Sequence, residues 1–151
     1  GHALEKYFGF DAEELLLELG EHPKRDEERK VFCSTGSLGM GITAAVGRAF
    51  VNRNRNVYCL ISDGECFEGS VWESLQFANE QKLDNLKIFV NANGFAAYRS
   101  INLDRLEEKI KVFNPKVKFV RTTVEYFGLK GIAAHYDQIT EEQYLNAIES
   151  L

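Results

Sequence analysis

The chain has 151 residues, 44% of them hydrophobic and 27% charged, and a net charge of −5. That size suits one ordinary domain with its own core, and its interspersed acids and bases form no basic face of the kind that binds nucleic acid. No apolar run approaches the roughly 20 residues of a membrane span, no signal peptide is visible, and Cys33, Cys59 and Cys66 lack ligand spacing and read as reduced core thiols, so a cytoplasmic protein is expected.

Asp11-Ala12-Glu13-Glu14 is a helix start, with Asp11 as cap, and Gly20 a stop after Leu15, Leu16, Leu17 and Leu19. The polar stretch 21–30 is a surface connection. In 31–41 (VFCSTGSLGMG) three glycines precede a helix whose apolar face is Ile42, Ala45, Val46, Ala49 and Phe50. Such a turn cradles a phosphate or lets a helix pack closely on a sheet. Val57–Ile61 is a strand whose continuous apolar character predicts burial on both faces. A helix over Glu68–Lys82, with Val71, Trp72, Leu75 and Ala78 on its inner side, leads to a second strand, Lys87–Val90. Asn102 caps a helix carrying Leu103, Leu106, Ile110 and Phe113. Val117–Thr122 is a third strand and 127–136 a loop. Thr140-Glu141-Glu142-Gln143 is a capping box opening a last helix. The pattern predicts one α/β domain with three or four strands.

Val57–Gly94 reads as strand, turn, crossover helix, strand. Asp63 follows the first strand and Asn93 the second, about 30 residues apart, the length of a βαβ unit. Parallel strands joined by one crossover are often neighbours, so both oxygens can converge where open α/β sheets bind ligands. One carboxylate and one amide suit a hard cation such as Mg²⁺, which keeps positions open for phosphate or water. A plain structural role, Asp63 capping a helix and Asn93 shaping a turn, uses the same residues.

Ser62-Asp63-Gly64, Glu68-Gly69, Trp72-Glu73, Lys82-Leu83-Asp84-Asn85-Leu86 and Asn93-Gly94 together resemble the thiamine-diphosphate motif of transketolases. Upstream, Ser34–Gly41 is similar to that family's glycine-rich loop, His22-Pro23 to its His-Pro element and Gly1-His2-Ala3 to its Gly-His-Ala element. Ala134-His135-Tyr136 is similar to its late histidine. The resemblance is to a shortened N-terminal, thiamine-diphosphate-binding (PP) domain, dense from Cys33 to Gly94. It implies a three-layer α/β/α fold with a mainly parallel sheet, as one domain over residues 1–151. It also implies that Asp63, Asn93 and the carbonyl of Phe95 hold Mg²⁺ or Ca²⁺. His2, Gly36, Leu38, Gly64, Glu65 and His135 would join Asp63 and Asn93 in binding thiamine diphosphate. His22 and His135, with Glu68 at a subunit interface, would serve the chemistry.

Two positions depart from the family pattern: Ser62 replaces the first glycine of Gly-Asp-Gly, and Asn91 an acidic residue. Nothing resembles the pyrimidine-binding domain that carries the family's cofactor-activating glutamate. The resemblance therefore implies a split transketolase-like enzyme, inactive alone, with a second subunit bearing that domain in a heterotetramer or homodimer. Its substrate would be a sugar or sugar phosphate. Another thiamine-dependent enzyme, such as a 2-oxoacid dehydrogenase or decarboxylase component, shares part of the motif, but KLDNL and His-Pro count against it. A non-catalytic remnant of the fold is the reading from a different class.

Overall fold

A computed structural model describes residues 2–34, 36–96, 99–123, 131–132 and 136–149, without the side chains of His2 and Ala3. The chain divides into two units, one formed by residues up to Ser37 with those from Thr140 on, the other by Leu38–Ile139.

The first unit holds α1 (His2–Phe8), α2 (Ala12–Leu19) and the C-terminal helix, Glu141–Glu149. Asp11 caps α2 as expected, its Oδ1 accepting the Glu14 N–H at 2.8 Å, and Gly20 ends the helix at φ 69°. Leu15 is buried, whereas Leu16 and Leu17 are exposed. The capping box at Thr140 is reciprocal: Thr140 N–H donates to Gln143 Oε1 (2.8 Å) and Gln143 N–H to Thr140 Oγ1 (3.2 Å). In the 21–30 connection, Asp26 and Val31 exchange backbone hydrogen bonds across a tight turn.

The second unit is a mixed α/β structure around a parallel sheet. Its elements are α3 (Met40–Val51), β1 (Val57–Ser62), a 3₁₀ turn (Glu65–Phe67), α4 (Gly69–Glu80) and β2 (Leu86–Ala92). Then come β3 (Phe95–Ala96), β4 (Arg99–Ser100), α5 (Leu103–Phe113) and β5 (Lys118–Arg121), which makes the C-terminal helix α6. The sheet order is β1-β2-β5, with both pairings parallel and Ser62 opposite Asn91. β3 and β4 form a separate antiparallel ribbon. Both crossovers step in one direction across the sheet, so the right-handed rule places α4 and α5 on one face. α3 packs against β1 and α4, on that same side.

The core follows. Cys59 and Ile61 of β1, with Leu86, Ile88, Val90 and Ala92 of β2, meet Ile42, Ala49, Val71, Leu75 and Ile110 from the helices. Phe50, expected inside, is partly exposed and packs its ring 5.5 Å from that of Phe77. β1 corrects a second expectation. Its alternate residues Tyr58 and Leu60 are 71% and 72% exposed, so within this unit only the helix-facing side of the strand is buried. The apolar run was continuous, but pleat alternation still decides which residues the helices cover. The predicted loop at 127–136 lies largely outside the described residues.

KLDNL has a definite job here. The Asn85 Nδ2, in a buried side chain, lies 3.0 Å from the carbonyl oxygens of Ala49, Asn52 and Arg55. It ties the end of α3 to the start of β1. Asn85→Ala strands those carbonyls, and urea unfolding is expected to show a loss of roughly 1–3 kcal/mol.

The Asp26 carboxyl sits below its usual pKa, chiefly through the Arg29 backbone N–H and then the Arg29 guanidinium. A lowered folded-state value makes its contribution present above the ordinary carboxylate range and lost as pH falls through the lowered one. An NMR titration is expected to place the Asp26 midpoint below that of an unpaired Asp, with loss of Val31 amide protection on acidification.

Candidate functional site

The parallel register between β1 and β2 sets the C-terminal ends of both strands side by side. The Asp63 N–H extends the ladder by donating to the Asn91 carbonyl (3.1 Å). The fully buried Asp63 carboxylate then bridges the two strand ends. Its Oδ1 accepts the Gly64 N–H at 3.0 Å and its Oδ2 the Gly94 N–H at 2.7 Å. Burial pushes its pKa up, and the surrounding backbone N–H groups, Gly94 first, pull it back. Among the described residues no Lys, Arg or His pairs with it. A buried carboxylate without a protein cation is costly, and backbone hydrogen bonds, protonation or a bound metal ion can each relieve it.

Asn93 and Phe95 stand beside it. Asn93 Oδ1 accepts the Phe95 N–H at 2.9 Å, and Gly94 adopts φ 89°, which favours glycine. A Cβ at Gly64 would sit 3.6 Å from Ala96 Cα and 3.9 Å from the Phe95 carbonyl oxygen, so this turn faces the 93–96 loop. The sequence-predicted residues Asp63, Gly64, Asn93 and Phe95 are therefore brought together. They offer carboxylate, amide and carbonyl oxygen, a hard donor set. Among the described residues no group of three or more His, Cys, Asp and Glu converges, so nitrogen or sulfur ligation has no counterpart there.

Glu65 does something the sequence did not show. Its Oε1 accepts the Gly39 N–H at 3.1 Å, and its Oε2 the Ser62 N–H at 2.9 Å. Both carboxylate oxygens are thus engaged by protein donors, fixing the glycine-rich loop to the end of β1. Ser62 Oγ in turn accepts the Glu65 N–H at 3.1 Å, so serine at this position closes the turn rather than opening it. Asn91, the other departure, has its side-chain oxygen on Thr122 Oγ1 at 2.6 Å. Burial first, then Asp63 and Glu65, pushes the Cys66 thiol up to about 12.

Gly39 is the loop's contact with α4. Its φ is +78°, a Cβ there would collide with Ser70 Oγ, and its carbonyl accepts from that hydroxyl at 3.3 Å. Glu68, the N-cap of α4, is exposed, and its Cβ lies against Gly39. Leu38 is exposed beside it. In the first unit, Gly36 (φ +103°) lies under His22, whose Cγ would be 3.3 Å from a Cβ at Gly36. Those two predicted residues are brought together as well. The His2 side chain and His135 lie outside what is described. Spacing gave no signal for Gly39 and Ser70, since their roles arise from close approach of a loop and a helix start far apart in sequence.

A parallel α/β sheet with a carboxylate-bridged crevice at its C-terminal edge is the arrangement of a cofactor-binding α/β domain. The family model described as "Transketolase, thiamine diphosphate binding domain" matches residues 13–125, and the chain belongs to that family. Human transketolase is 41% identical over 97 residues, covering 56% of this chain and 15% of its own length. Mouse transketolase is 46% identical over 65 residues, covering 40% and 10%. The "6-deoxy-6-sulfo-D-fructose transketolase subunit SqwG" of Clostridium sp. (strain MSTE9) is 33% identical over 132 residues, covering 78% of this chain and 47% of its own. The chain thus spans under half the length of these relatives.

Gly39→Ala adds both left-handed strain and a collision with Ser70. Urea unfolding is expected to show a loss of roughly 2–4 kcal/mol, and Ser70→Ala introduced into that variant is expected to recover part of it.

Proposed function

We propose that this chain is the thiamine-diphosphate- and metal-binding subunit of a split transketolase-like enzyme. A second chain bearing the pyrimidine-binding domain completes it, and the enzyme transfers a two-carbon ketol unit from a ketose to an aldose. The observation that carries this reading is the buried Asp63 carboxylate, without a protein counter-cation among the described residues, beside the oxygens of Asn93 and Phe95. The naming of SqwG as a transketolase subunit supports the split arrangement.

Asp63, Asn93 and the Phe95 carbonyl would hold Mg²⁺ or Ca²⁺. The Asn93 oxygen already accepts one hydrogen bond, and its second lone pair leaves room for a cation. Gly64, lacking a side chain, would let the diphosphate approach the backbone. Gly36 and Leu38 would contact the aminopyrimidine, and Glu65 would keep the glycine-rich loop seated. His2 and His135 would line the diphosphate and thiazolium region, His22 the sugar, and Glu68 the subunit interface. Bound thiamine diphosphate supplies the carbon centre that carries the transferred unit. The carboxylate that activates it would come from the partner, so this chain alone would be inactive. The holoenzyme would be a cytoplasmic heterotetramer or homodimer acting on sugars or sugar phosphates. Among the described residues no helix is long and apolar enough to cross a membrane.

Calorimetry with thiamine diphosphate and Mg²⁺, with and without a pyrimidine-domain chain, tests this reading. Binding is expected with the partner present. Asp63→Asn keeps the size and an acceptor oxygen but removes the charge, and is expected to weaken binding more than about 100-fold, beyond the usual cost of losing an outer-shell partner. Unchanged affinity in that variant refutes the ligand assignment, and no binding by the wild-type pair refutes the function.

A further inference from the structure

One cleft of the second unit contrasts with the chain's net charge of −5. It is lined by Arg99, Arg105 and Lys109 over a floor that includes Phe67, Trp72 and Phe113, has a volume of about 760 Å³, and includes no carboxylate among the described residues. The floor is ordered. Trp72 Nε1 donates to the Cys66 carbonyl at 2.9 Å, the Trp72 and Phe113 rings lie 5.1 Å apart, and the Arg99 guanidinium sits 4.5 Å over the half-exposed Phe67 ring.

α5 sorts its own charges to make this cleft. Asp104 and Glu107 are both taken by Arg121, at 2.6 and 3.0 Å. Arg105 and Lys109, one helical turn apart, are left lining the cleft. Like charges at that spacing work against a helix, and among the described residues neither they nor Arg99 form an ion pair. The capped N-terminus of α5 at Asn102 adds positive potential to the same wall. Cys66 and Phe67 directly follow the Asp63–Glu65 turn, so the cleft adjoins the candidate site.

We propose that this cleft is a docking surface for an acidic segment with an apolar side chain, contributed by the partner subunit. Charge complementarity selects the acid, and the aromatic floor selects the apolar residue. The two helical cations are four residues apart, a rise of ~6 Å along the axis, so each can meet its own acidic side chain on a peptide. A nucleic acid would meet repulsion from the rest of an acidic protein. The partner's identity rests on the proposed function; the chemistry of the cleft does not.

Trp72 is the chain's sole tryptophan, so its fluorescence reports on the cleft. The wild-type chain is titrated with the peptide acetyl-Glu-Asp-Leu-Phe-Glu-Glu-amide and with a control carrying lysine at every acidic position. The acidic peptide is expected to give a saturable change in emission, and the lysine peptide none. The exposed double variant Arg105→Glu/Lys109→Glu is expected to bind the acidic peptide at least about tenfold more weakly. No response to the acidic peptide, an equal response to the lysine peptide, or unchanged affinity in the double variant overturns the proposal. So does equal affinity for inorganic pyrophosphate, which would make the cleft a small-anion site. The titration contains no thiamine diphosphate, so its failure leaves the cofactor reading standing, and failed cofactor binding appears only in the calorimetry.

Discussion

The hydrogen bonds from Gly64 and Gly94 to the Asp63 carboxylate hold this structure's functional edge together. The first closes the turn after β1, and the second joins that turn to the one after β2. A carboxylate does this better than a neutral group, because backbone N–H donors bind a charged acceptor more tightly. The cost is a buried carboxylate, which burial pushes toward its neutral form and the backbone donors hold back toward the charged one.

Around that bridge the neighbouring parts interlock. Glu65 fastens the glycine-rich loop to the strand end, Gly39 lets the loop touch α4, and Ser70 returns a hydrogen bond to it. Asn85 does comparable work at the opposite end of β1. The strand is thus secured at both ends by side chains accepting from or donating to backbone, while its middle is held by the ladder and by apolar packing.

Much of this was legible from the amino acids. Asp11, Asn102 and Thr140 cap helices where local pattern placed them, because caps depend on residues three apart. The parallel pairing of β1 with β2, and so the meeting of Asp63 with the 93–95 loop, followed from the length of one crossover. What stayed hidden depends on approach between distant segments. Glu65 reaches Gly39 across 26 positions, Asn85 reaches the end of α3, and α5 divides its charges between Arg121 and the cleft. One-sided burial of β1 was hidden for another reason. Tyr58 and Leu60 continue the hydrophobic run of their buried neighbours, and composition does not state which face the helices cover.

The raised thiol pKa of Cys66 bears on how the protein meets oxidants and alkylating reagents. The thiolate is the reactive form, and at a pKa of about 12 almost none exists at neutral pH. Burial, with the crevice's carboxylates adding to it, thereby keeps this sulfur inert. Reagents that seek thiolates would bypass this part of the molecule.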